Sequence, residues 1–166
     1  MGIAQVGAQA HLNFLAGLTV PIVGGSAPTW IPGLSWVNGA GVPQTWNGSA
    51  WVPDTGQRYV ALLSTDPGDD TTIAALIEIT TPGYSRFLLS MAPATAARPS
   101  VTESTSTIIW GPMTADMALA AGWAALVTVA TGVLGQVLFT WQLPKTQKVA
   151  TSQSVVVATN DLQLSE

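Results

Sequence analysis

The 166-residue chain has no cysteine, one histidine and few charges. Without cysteine there is no disulfide framework, no thiolate nucleophile and no zinc–thiolate site. Charged residues make up 8% of the chain, against about 25% in an ordinary soluble domain. Five Lys and Arg stand against nine Asp and Glu. That balance cannot supply the positive field that phosphates require, so nucleic acid is excluded as a partner. The chain is apolar rather than highly charged, which also excludes a disordered solvating tail. Its length fits one domain with an arm, large enough to bury a sizeable core.

So sparse a charged surface weakens solubility. The expectation is that much of the exterior faces other protein, in an oligomer or a particle shell. The competing source of solvation is hydroxyl groups: the chain carries 20 threonines, a residue suited to exposed strands. The segment 117–143 has no charge and is long enough to span a membrane. Gly122, Gly132, Gly135, Thr128, Thr131, Thr140 and Gln136 interrupt it, however. It reads as two strands, Trp123–Val129 and Gln136–Trp141, around a Gly-X-X-Gly turn. No membrane partner is expected, and no positively charged leader is visible at the N-terminus.

Two zones follow from composition. Residues 1–57 hold a single charge, Asp54, with five prolines and four of the seven tryptophans. Residues 58–166 hold every other charge. The first zone predicts a short helix, with Ile3, Val6, Ala10, Phe14 and Leu18 on one stripe. Extended loop is expected from Thr19 to Pro43, where prolines remove backbone donors. A hairpin is expected over 45–52, turning at Asn47-Gly48 between Trp46 and Trp51.

From residue 58 onward, short strands alternate with turn signals. They are Tyr59–Ser64, Ile73–Ile79, Ser85–Ser90, Thr107–Trp110, the two strands already named, Ser154–Ala158 and Leu162–Leu164. One or two helical turns are expected within 113–121. The turn Thr81-Pro82-Gly83 would join the second and third strands as a hairpin, setting Glu78 opposite Arg86 as a structural ion pair. The fold class is mainly β. An antiparallel β-sandwich or jelly-roll-like module (58–166) follows a helix and a Pro/Gly/Trp-rich arm (1–57).

Little catalytic chemistry is legible. His11, on the predicted helix, has no Ser elbow or acidic partner in register. Asp66, Asp69 and Asp70 form an acidic turn that lacks the ligand number and alternation of a calcium loop. There is no phosphate-binding glycine loop. No enzyme activity, cofactor or metal is expected. The unusual resource is Trp30, Trp36, Trp46 and Trp51 in the low-charge arm. They are candidates for a protein interface, where Trp is enriched, or for a local core; stacking on sugars is a third use.

Tyr59-Val-Ala-Leu-Leu-Ser-Thr-Asp-Pro67, then Glu78 before Gly83-Tyr84-Ser85-Arg86, then the Gly132-Val-Leu-Gly135 turn between strands, resemble in that order a family of small tailed-bacteriophage virion proteins. Its members carry the labels tail fibre, minor tail or head decoration. The resemblance covers about the last hundred residues. Residues 19–57 look like an insertion, and Ala130-Thr131 stand where the family commonly has Asp. The resemblance implies a non-enzymatic virion component, made in the host cytoplasm and carried on the particle surface. Its partners would be other virion proteins and further copies of itself. A head decoration protein is the first expectation. A minor tail or fibre protein is the second, and a glycan receptor-binding module the third.

Overall fold

A computed structural model of the chain describes residues 30, 31, 35–37, 43–46, 50–54, 56–68, 71–92, 101–159 and 163–165. The expected N-terminal helix with His11, the Asn47-Gly48 turn, and Asp69 and Asp70 lie outside the described residues. The strands in chain order are β1 Trp30–Ile31, β2 Ser35–Val37, β3 Pro43–Trp46, β4 Trp51–Pro53, β5 Arg58–Leu63 and β6 Phe87–Leu89. They continue with β7 Val101–Glu103, β8 Ile108–Trp110, β9 Ala121–Val127, β10 Val137–Gln147, β11 Val155–Val157 and β12 Gln163–Ser165. The chain is therefore mainly β, and every strand pair is antiparallel.

In the arm, β1 to β4 form a four-stranded meander. This corrects the expectation of extended loop up to Pro43. Prolines fall between or at the ends of these strands: Pro32 after β1, Pro43 opening β3, Pro53 closing β4. At such positions the missing N–H costs no ladder bond. The prolines shorten the strands without abolishing them. The hairpin expected at 45–52 is present in its strands, with Trp46 the register partner of Trp51.

The central sheet runs β10-β9-β5-β6. Its two middle strands are buried on both faces. On one face, Val60, Leu62, Ala124 and Leu126 meet Ile108, Trp110, Met113, Met117 and Val155. On the other, Ala61, Leu63, Ala125 and Val127 pack with Ile73, rimmed by Tyr59, Trp123 and Val137. A strand covered on both sides reads as an unbroken apolar run, which explains the charge-free stretch from residue 117. No helix among the described residues is long and apolar enough to cross a membrane. The two-stranded β8–β11 sheet lies over the first face in a sandwich-like arrangement. It is anchored by Trp110, which is 1% exposed and donates its indole N–H to the Val60 carbonyl at 3.0 Å.

Three expectations within the core module do not hold. Ile73–Ile79 is not a strand: Ile73–Ala75 is a 3-10 turn, and Glu78 alone bridges to Leu63. Ile73 and Ile79 are buried but Ala74, Ala75 and Ile77 are exposed, so the run has no alternating face to lay on a sheet. The hairpin across Thr81–Gly83 is absent as well. Residues 81–84 close a turn, with Tyr84 N–H donating to the Thr81 carbonyl at 3.0 Å, and β6 pairs with β5 instead. The helical turns expected near 113–121 are likewise not formed: Met113 and Met117 enter the core from irregular chain, and Ala121 opens β9.

Removing the anchor tests this packing. Trp110→Ala is expected to lower unfolding free energy by about 3–5 kcal/mol, the scale for deleting a buried aromatic. Leu134→Ala, at an exposed position, should change it by less than about 0.5 kcal/mol. Urea titration followed by tryptophan fluorescence measures both.

Candidate functional site

The polar side chains buried in the module are structural joints. After β4, Asp54 takes both Arg58 guanidinium nitrogens, Nη2 on Oδ2 at 2.7 Å and Nη1 on Oδ1 at 2.8 Å. The side chains are 1% and 4% exposed. Gly56, at φ +73°, donates its N–H to the same carboxylate at 2.9 Å. This bidentate pair fixes the turn between the arm's last strand and β5.

A second joint is built on Glu78, Tyr84 and Arg86. β6 pairs with β5 only at residues 58–60, so the β5 backbone beyond that point needs other partners. The Tyr84 hydroxyl accepts the Leu62 N–H at 2.9 Å and donates to Glu78 Oε1 at 2.6 Å. The Leu62 carbonyl takes the Ile79 N–H, and Ser64 N–H donates to the Ile77 carbonyl. Burial first, then the Glu78 carboxylate, holds the Tyr84 hydroxyl protonated far above the ordinary phenol range. Arg86 pairs with Glu78 through Nη2 at 2.8 Å and Nε at 3.0 Å. Its remaining donors reach the Val129 and Gly132 carbonyls, both at 3.0 Å. One guanidinium thus ties the β5–β6 crossing to the β9–β10 turn. Glu78 and Arg86 meet without the hairpin register that brought them together in the sequence reading.

Gly83, at φ +90°, sits where a Cβ would lie 2.5 Å from the Pro112 carbonyl oxygen and 2.8 Å from the Thr114 nitrogen. Only glycine fits that approach. Further along, Asp116 accepts both the Thr151 N–H and its hydroxyl at 2.8 Å. Those bonds, the backbone one foremost, hold its carboxyl below the ordinary aspartate range.

None of these joints presents a nucleophile, a base and an open space together. Among the described residues no group of three or more His, Cys, Asp or Glu could hold a metal. Asp66 accepts the Gly68 N–H at 2.9 Å in a local turn. The open features are an apolar cleft and a recess of mixed lining. A cleft of about 370 Å³ lies between β10 and the β8–β11 sheet. Phe139, Trp141 and Leu143 line one wall, and Ile108, Trp110 and Val157 the other. Phe139 is 43% exposed, and its ring lies 6.1 Å from that of Trp141, tilted by 32°. A second recess runs past Ile77, Leu119 and Trp123.

The arm tryptophans fall in cross-strand pairs by register, Trp30 with Trp36 and Trp46 with Trp51. The aromatic row of the cleft, Phe139 and Trp141, was not singled out from sequence. The signal was there: two aromatics two apart, in a charge-free strand, put both rings on one face.

A family model described as podophage GP4 fiber I protein gp80 matches residues 41–165, well over half of the chain. No curated protein and no solved structure matches it.

Arg86→Ala is expected to cost about 3 kcal/mol, the scale for removing one partner of a largely buried pair. Arg86→Lys should restore only part of this, since an ammonium cannot reproduce the forked contacts. Chemical denaturation of the two variants checks the order. Acid titration checks Asp116. Its folded pKa lies below the unfolded value, so its contribution is full above about pH 4–5 and is lost as pH falls through the folded value. The stability gap between wild type and Asp116→Asn should stay constant above that range and narrow below it.

Proposed function

The chain belongs to the podophage GP4 fiber I protein gp80 family, a virion protein family of structural fibre type, and on that footing we propose that it is a building block of the fibre itself, present in several copies. The family match over 41–165 is the observation that carries this reading. It supports a fibre or minor tail protein over the head decoration protein that the sequence put first. The molecule supports it in kind. Its buried polar groups are spent on internal joints, and its open features are apolar cleft and strand edge. Such a surface binds by packing, and its partners are other virion proteins and further copies of the same chain. The arm, residues 1–57, is proposed as an attachment element and residues 58–166 as the core module. The tryptophans Trp30, Trp36, Trp46 and Trp51 are the proposed contact residues of that arm.

Labelling the protein in intact particles and imaging them by electron microscopy tests the reading. Label confined to fibres, at a copy number far below that of the major capsid protein, is the expected result. Label spread over the capsid lattice, in proportion to the capsid protein, would favour decoration and reject the fibre assignment.

A further inference from the structure

We infer that the outer edge of β10 is the surface on which a second copy of this chain docks, by antiparallel pairing of β10 with its counterpart about a two-fold axis at Thr140. This rests on the multi-copy reading above and names the contact that makes it.

Sheet edges are templates for further strands, and proteins blunt them by keeping them short or by adding charge, proline or bulges. The edges at β1, β4, β6, β8 and β11 are two or three residues long. β10 runs for 11 residues, and among the described residues no strand pairs with its outer side. Its blunting devices stand at the ends: a register shift between Val137 and Phe139, and a second between Gln142 and Gln147 that contains Pro144 and Lys145. Between them, Phe139-Thr-Trp-Gln142 keeps regular register and carries no charge, proline or glycine.

The occupant follows from register and charge. Pairing about Thr140 sets Phe139 of each copy opposite Trp141 of the other, and Thr140 opposite Thr140. Aromatic and Thr–Thr pairs are favourable across strands. Lys145 lies beyond the paired stretch, so the two copies bring no like charges together. Phe139 and Trp141 face the same side of the sheet as Leu126 and Ala124, their register partners. The β8–β11 sheet stops short of covering them, which leaves the cleft. A second copy brings its own pair of rings beside this row. From Met117 to Pro144 the chain has no ionisable side chain, so a charged partner finds no counter-charge along Val137–Pro144. An equally neutral copy loses nothing by that.

The absence of cysteine makes the test clean. Thr140→Cys in the full chain puts two thiols directly opposite one another, within disulfide reach. Gln142→Cys serves as control. In this register its sulfur lies about 13 Å along the strand from its symmetry mate, beyond the roughly 7 Å limit between bridged Cα atoms. Under mild oxidation Thr140→Cys is expected to give a covalent dimer in at least about fivefold excess over Gln142→Cys. Light scattering should show concentration-dependent association of the unmodified chain. Phe139→Lys, at an exposed position, should weaken it at least about tenfold through loss of two symmetric aromatic pairs, with an unchanged circular dichroism spectrum. Equal cross-linking of the two cysteine variants, or a monomer at every concentration, would overturn the inference. Label on fibres combined with equal cross-linking would reject this edge and leave the fibre assignment standing.

Discussion

Burial of β5 and β9 on both faces is the constraint from which the remaining architecture follows. Val60, Leu62, Ala124 and Leu126 need one cover, and Ala61, Leu63, Ala125 and Val127 need another. A chain with so few charges can build such a pair of strands, but it must then supply two layers over them. Trp110, Met113, Met117 and Val155 provide the first, drawn from β8, β11 and the irregular segment before β9. Ile73 and the strand-end residues provide the second. Small side chains at Ala121, Ala124 and Ala125 let these covers approach the sheet closely.

Double burial also creates a polar debt, because every backbone group of β5 must find a partner away from water. β6 is too short to satisfy it. Tyr84, Ile79 and Ile77 complete the edge, and Glu78 and Arg86 lock the completing segment to the β9–β10 turn. Four of the chain's charges serve this end, in the pairs Asp54–Arg58 and Glu78–Arg86. With charged residues at 8% of the chain, the exterior of the module is long in apolar and hydroxyl groups.

The strands buried on both sides were the most legible part of the sequence. Tyr59–Ser64 and Trp123–Val129 are within a few residues of β5 and β9, because burial on both faces leaves an apolar run, and the glycines mark the turn into β10, expected at Gln136–Trp141. Ile73–Ile79 was misread because branched residues suggested a strand, whereas the segment serves the β5 edge through single hydrogen bonds, a role that leaves no period. The arm was misread for the opposite reason: proline spacing hid strands of two to four residues. Glu78 and Arg86 were legible as partners, but not their reach to Val129 and Gly132, which only the fold brings near. Phe139 and Trp141 stand out less in the sequence than the arm, where tryptophan is densest, although their spacing puts both rings on one face. The virion class came from the resemblance of ordered motifs, and nothing in composition would have separated fibre from decoration.

Function in this account comes from what the fold leaves open. The middle of the sheet is closed by its own chain, and β10 at its border is the edge proposed for another copy. Hydrogen–deuterium exchange measured at dilute and at high protein concentration tests that division most directly. The account predicts slow exchange in β5 and β9 at both concentrations, and protection of residues 138–143 that rises with concentration. Exchange along β10 that is independent of concentration, or β5 and β9 amides that become protected only on association, would contradict it.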